Sequence, residues 1–244
     1  MVMTDANAGG VIQGSADFSR LTDLGKQQAK EAYSAFTSTE EQELRLSSIY
    51  CSPLTRAKQT LAELRKVDSA QSKEAAKFPS EENTLSNLRE IDFYDWEGKD
   101  KRELQNAFPE SYQSWKDGNP SRLGVYDSSN PGEAPVLHYP LLELWERADL
   151  VWDEIFTLEK QRAEENRAVL IVAHGSLGQA LLGSAMGWGP DHFREYTFPN
   201  CGMIELNFSD FKNRPQQADR WRWIWPTPSA KWSYPLEVME TCHR

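Results

Sequence analysis

Residues Val169, Leu170, Ile171 and Val172 make an unbroken apolar run, three of the four β-branched, closed by Ala173, His174, Gly175 and Ser176. Such a run predicts a strand covered on both faces, as in a parallel sheet flanked by helices. Gly175 permits a tight turn, and Leu177, Ala180, Leu181 and Leu182 resume at helical spacing. Ligands of open α/β sheets bind outside the carboxyl ends of strands, so His174 stands where a cleft is expected. Taken alone, a histidine that merely satisfies the turn explains this stretch equally well.

The chain has 244 residues, 39% hydrophobic and 26% charged, which suffices for one well-filled core. We expect a single domain over residues 1–226, with 118–140 as a lid or insertion loop and 227–244 as a loosely held tail. No apolar run reaches bilayer length, and the first residues lack the basic and apolar segments of a signal peptide. An intracellular location follows: cytoplasmic, or chloroplast if an upstream targeting segment is missing. Cys51, Cys201 and Cys242 are widely spaced, which predicts free thiols and no metal-binding pair. Neither metal nor cofactor is expected. A net charge of −10 argues against general attraction to nucleic acid or membrane, so an anionic substrate needs a locally positive pocket.

Before that strand the chain alternates in the same style. Val11 to Ser15 reads as a polar loop, and Thr22 caps an amphipathic helix to about Phe36 with Ala29, Ala32 and Tyr33 on one stripe. Ser48 to Cys51 is a short strand stopping at Ser52 and Pro53, followed by a helix from Leu54 to about Lys66. Arg56 lies in that helix's first turn, where the helix dipole disfavours a cation. Set beside free backbone amides at a strand's carboxyl end, it favours an anion site over a solvated side chain. Residues 67–87 read as a mobile connection with one short strand near Phe78.

Leu88 to Gly98 packs Glu90, Asp92, Asp95 and Glu97 among aromatics. Desolvation there would raise one carboxyl toward the range of a general acid, although an acidic loop facing water is the simpler reading of the spacing. Short helical pieces at 102–107 and 112–115, a loop at 118–135 and a helix at 141–158 follow. That last helix carries Leu144, Ala148, Val151, Ile155 and Leu158 on its apolar stripe. Met203 to Phe208 reads as a strand. Trp221, Trp223 and Trp225 alternate with polar and aliphatic neighbours as an edge strand with tryptophans inward, base stacking being the rejected alternative in so acidic a chain.

Several motifs together resemble the histidine phosphatase superfamily, the phosphoglycerate mutase-like group. They are Gln13-Gly14, Leu21 to Gly25, Ser52 to Thr60 (SPLTRAKQT), Leu88-Arg89-Glu90 with Trp96-Glu97-Gly98, Ala173-His174-Gly175 and Asn200-Cys201-Gly202, in the family's order from about Met3 to Phe208. IQGSADFS at 12–19, LREIDFY at 88–94 and HYPLLELWERA at 138–148 look most like plant-type 2-carboxy-D-arabinitol-1-phosphatases. The resemblance implies a three-layer α/β/α fold with a mostly parallel sheet, and a metal-independent phosphomonoesterase using a phosphohistidine intermediate. By motif position, Arg56 and His174 hold the phosphate and Glu90 protonates the leaving alcohol. Asn7, Gln13 and Gly14 border the phosphate site, while Asn200 and Cys201 line it from a later loop. The substrate class is a small phosphorylated metabolite, such as a sugar phosphate or sugar-acid phosphate. A doubly anionic sugar acid would want further cations, for which Arg89, Arg102 and Arg147 are candidates.

One element of that pattern is absent. Counted back from Asn7, the family's nucleophilic Arg-His-Gly falls before Met3, where this sequence has only Met1 and Val2. The first central strand and its histidine are therefore missing, and little or no phosphatase activity is expected of these 244 residues. A start further upstream is preferred over a non-catalytic binding protein, because deleting a central strand would leave its neighbours' backbone groups unpaired. A mutase is the alternative within the enzyme class. Monomer and homodimer both remain open.

Overall fold

A computed structural model describes residues 2–36, 45–71, 78–160, 167–208 and 217–225. In chain order the elements are α1 (Asp5–Ala8), α2 (Asp23–Ala32), β1 (Arg45–Cys51), α3 (Thr55–Gln71), β2 (Asn83–Thr84), α4 (Lys101–Ala107), α5 (Pro109–Asp117), β3 (Val125–Asp127), β4 (Val136–His138), α6 (Pro140–Glu159), β5 (Arg167–Val172), α7 (Gly175–Ala185), β6 (Met203–Asn207) and β7 (Arg220–Trp225). Single 3-10 turns occupy Tyr33–Phe36, Ser86–Leu88, Tyr94–Trp96 and Pro190–His192.

Strand β1 is the middle of a parallel sheet, paired to β5 from Arg45↔Arg167 to Cys51↔Val172 and to β2 at Tyr50↔Asn83 and Cys51↔Thr84. Alternation along the strands then assigns the two faces. Ile49, Cys51, Leu170 and Val172 pack with Ala57, Leu61 and Leu64 of α3 and with Tyr33. Tyr50, Val169 and Ile171 pack with the helices α6 and α7 on the other side, through Trp152, Phe156, Leu177 and Leu181. The result is the expected helix, sheet, helix sandwich, with β5 covered on both faces.

Even so, Val169, Leu170 and Ile171 are only half-buried. The cause is lateral: β5 bonds to β1 along one edge, and among the described residues no strand bonds to the other. Strands β6 and β7 form a separate antiparallel pair, with every residue of β6 half-buried. Both sheets rest on the same helices. Phe208, just past β6, packs edge-on against Trp152 and Phe156 of α6, ring centroids 5.6 and 5.2 Å away, and those residues also underlie β5. Among the described residues, an open edge of β5 and a separate β6–β7 ribbon therefore share one helical layer.

Several boundaries differ from expectation. α3 runs to Gln71, one turn past Lys66, because Asp68 is buried and accepts from Tyr33 Oη at 2.6 Å and from the Phe78 amide at 3.1 Å. The short strand of the connection lies at Asn83–Thr84, whereas Phe78 is a buried core residue outside any strand. The 118–135 loop contains β3, which pairs with β4 as a hairpin from Val125↔His138 to Asp127↔Val136. Leu158 is 43% exposed and leaves the apolar stripe of α6, while Leu144, Ala148, Val151 and Ile155 keep it. Trp221 and Trp223 pair with Leu206 and Ile204 but are only half-buried. The predicted tail at 227–244 and Cys242 lie outside the described residues.

Candidate active site

Strands β1 and β5 end side by side, so the residues that follow them are neighbours. The Ser52 amide donates to the Val172 carbonyl at 3.0 Å, extending the ladder one step. Two residues beyond Val172, His174 is 6% exposed and its Nε2 lies 2.7 Å from Ser52 Oγ. Burial, reinforced by the charge of Arg56, holds the imidazole well below its ordinary range, so His174 is neutral at pH 7. Ser52 was not singled out by sequence reasoning; its place at a strand end before Pro53 is the signal that could have found it.

Arg56, in the first turn of α3, is 3% exposed. It donates through Nη2 to the Gly14 carbonyl at 2.7 Å and through Nη1 to the Ala16 carbonyl at 2.9 Å. The start of α3 is capped from the same loop, since Asp17 accepts from the Thr55 amide and hydroxyl at 2.7 Å each. A cation at this unfavourable helix position is thus fixed by backbone oxygens of another segment, as a binding group would be.

Glu90 is 5% exposed, which overturns the reading of its segment as an acidic loop facing water. Its Oε1 accepts from the amides of Ile91 and Leu177 at 3.0 Å each, and its Oε2 from Ser176 at 3.1 Å. The carboxylate therefore sits on the first turn of α7, where free amides and the helix dipole favour an anion. Behind it, Arg147 of α6 donates to the Glu90 carbonyl at 2.7 Å and to Asp92 at 2.6 Å. Arg89 forks the same Asp92 at 3.1 and 3.2 Å. Against the penalty of burial, Arg147 and these hydrogen bonds hold the Asp92 carboxyl below its usual value.

Of the other candidates, Gly14 joins the set through its bond to Arg56. Gln13 accepts from Thr4 Oγ1 at 3.0 Å and Ser19 Oγ at 2.6 Å and donates to Asn7 Oδ1, so this pair braces the loop leading into Gly14. Cys201 takes a left-handed backbone, φ +57°, in the turn before β6 and packs against Val2, Leu21 and Ala29. Burial pushes its thiol up to about 11, so it is a protonated packing group. Among the described residues no hydrogen bond ties Asn200 or Cys201 to Arg56 or His174. Of the three extra arginines, Arg147 is spent on Asp92 and Glu90, Arg102 is exposed on α4, and Arg89 is half-buried beside Glu90. No cluster of potential metal ligands occurs among the described residues, and no helix among them is long and apolar enough to cross a membrane.

Residues 3–221 match the family model of the histidine phosphatase superfamily, branch 1. The chain belongs to the histidine phosphatase superfamily. It is 34% identical to a 2-carboxy-D-arabinitol-1-phosphatase of Triticum aestivum over 83% of its own length and 34% of that protein's. It is 30% identical to a glucosyl-3-phosphoglycerate phosphatase of Mycolicibacterium vanbaalenii, covering 78% of this chain and 73% of that one. The chain thus spans about a third of the plant relatives it matches, 34% and 35% of their lengths. The fold agrees: the native structure of a mycobacterial glucosyl-3-phosphoglycerate phosphatase superposes with a TM-score of 0.63 at 21% identity, over 91% of this chain and 92% of that one.

Proposed function

We propose that this chain is the phosphate-holding body of a metal-independent phosphomonoesterase acting on a small phosphorylated metabolite, a sugar phosphate or sugar-acid phosphate. The observation that carries the reading is the convergence of buried Arg56, neutral His174 and Glu90, seated on the α7 amides, at adjacent carboxyl ends of β1 and β5. A phosphoryl group carries negative charge spread over three oxygens, and fixed cations and amide donors stabilise it as it transfers. Arg56 supplies a cation. His174 supplies a ring nitrogen that becomes a charged donor once a phosphate dianion offsets the cost of protonating it.

In the proposed cycle Glu90 takes up a proton as the substrate binds, an imidazole nitrogen attacks phosphorus, the P–O bond to the substrate breaks, and the Glu90 carboxyl passes that proton to the departing alkoxide. Water then attacks the phosphohistidine, the Glu90 carboxylate accepts its proton, and the P–N bond breaks to release phosphate and the imidazole. For Glu90 to act so, its carboxyl must exchange an amide of α7 for the substrate oxygen. The attacking imidazole belongs to the absent Arg-His-Gly strand. Of the four histidines, His138 and His192 pair with Glu143 and Glu195, His243 lies outside the described residues, and His174 is the phosphate ligand. Residues 1–226 act as one domain, with the β3–β4 hairpin as its lid. It is tied down by Ser128 to Asp95 at 2.6 Å and by His138 to Glu143 at 3.0 Å.

Phosphate release from p-nitrophenyl phosphate and from sugar phosphates tests this. Residues 1–244 should release none above background. A chimera carrying a relative's Arg-His-Gly strand ahead of Met3 should turn over, and should lose turnover on Arg56→Ala. Turnover by residues 1–244 that survives purification and vanishes in His174→Ala would refute the assignment of the nucleophile.

A further inference from the structure

Three consecutive residues, Gly14, Ser15 and Ala16, connect two groups that the family motifs treat separately. The outer two, Gly14 and Ala16, present the carbonyls that hold the two terminal nitrogens of Arg56, at 2.7 and 2.9 Å. The middle one is held from the opposite direction: Glu97 Oε1 accepts from the Ser15 amide at 2.7 Å and from Ser15 Oγ at 3.2 Å. The same oxygen accepts from the Phe93 amide at 3.0 Å, which anchors Glu97 to its own turn. Gly14 has φ +54°, and a Cβ on it would run into Glu97 Oε1, so this approach requires glycine. Beside it, the Gly98 amide donates to the Ile12 carbonyl at 2.8 Å and the Ile12 amide to Lys99 at 3.0 Å, so the two segments are already docked in register.

We infer that Glu97 is a positioning residue that aims the Arg56 guanidinium by clamping the 14–16 backbone. A guanidinium has five N–H donors in a rigid fork. Two carbonyls on known donors therefore set the plane and direction of the remaining three, which are the ones left for an anion. Without the clamp the two carbonyls can move, and Arg56 keeps its charge while losing its aim. Among the described residues no hydrogen bond or ion pair joins the Glu97 and Arg56 side chains, so Glu97 reaches Arg56 through the 14–16 backbone. The inference rests on the anion-site reading above.

Calorimetric titration of inorganic phosphate at pH 7.5 separates the two. Wild type should bind one phosphate. Glu97→Ala should weaken it about tenfold, the loss expected when one charge-assisted hydrogen bond is misdirected. Glu97→Gln, which keeps an acceptor oxygen at the same place, should recover to within about threefold. In an Arg56→Lys background Glu97→Ala should weaken phosphate no further, since an ammonium has no fork to aim; a purely structural role predicts the same loss in both backgrounds. If Glu97→Ala melts below the assay temperature, Glu97→Asp, which withdraws the oxygen by one methylene, must show loss in the same direction. A folded wild type that ignores phosphate overturns the anion site and this inference with it. Glu97→Ala binding phosphate as wild type does, or losing affinity equally in the Arg56→Lys background, overturns the inference alone.

Discussion

His174 and Glu90 solve opposite electrostatic problems at the start of α7. The imidazole is buried beside a cation and is held neutral, which makes folding sensitive to acid. Its folded pKa lies below the unfolded value of about 6.5, so above that pH both states are neutral and no penalty applies. As pH falls below about 6.5 the unfolded chain takes up a proton that the folded chain refuses, and stability declines. Denaturant melts at pH 7.5 and 5.5 in a buffer free of phosphate and sulfate should show wild type losing about 1 kcal/mol more than His174→Gln over that interval. Equal losses would mean that the imidazole is not held neutral.

Glu90 is the mirror case, an anion placed on amides. Glu90→Ala would leave the amides of Ile91, Ser176 and Leu177 without their acceptor in a buried place, at a cost of about 3 kcal/mol measured by the same melts. A loss under about 1 kcal/mol would show that water replaces the carboxylate easily. The role of Glu90 in placing α7 was hidden in the sequence, because its segment carries three more carboxylates at similar spacing and nothing local says which one meets a helix start. His174 was legible because strand, turn and helix follow one another without interruption and leave one place for it.

At the level of elements, the β5–α7 unit and the β1–α3 unit were readable from apolar runs and the turn residues that stop them. The errors fall where tertiary contacts decide. α3 gains its last turn through the Asp68 bonds to Tyr33 and Phe78, a contact across sequence that no local pattern announces. The β3–β4 hairpin was read as loop because strands of three residues are too short to show a period of two. The open edge of β5 has its own consequence. In a parallel strand alternate amides point to opposite sides, so those turned away from β1 have no strand acceptor among the described residues. Hydrogen exchange should therefore alternate along 168–172, with the β1-facing amides slow and the others fast. Uniformly slow exchange would show that something already occupies that edge.

Across the whole molecule, one helical layer supports two sheets that a single strand could join. Adding that strand should bury the half-exposed faces of Val169, Ile171 and β6 and supply the missing acceptors. The chimera carrying a relative's first strand should accordingly melt at higher temperature than residues 1–244, and an unchanged or lower melting temperature would count against the open slot. The overall charge of −10 adds a constraint of its own, for an anionic substrate is repelled by the molecule as a whole, and the proposed site must offset this locally through Arg56 and His174.

The central claim is that Arg56 and His174 form a phosphate site at the ends of β1 and β5, and its most direct test is a phosphate titration of residues 1–244 against Arg56→Ala at pH 7.5. The account predicts saturable binding at one site, accompanied by proton uptake as His174 becomes charged, with affinity falling at least about tenfold in the variant. Absence of binding by a folded wild type, or binding that Arg56→Ala leaves unchanged, would contradict it.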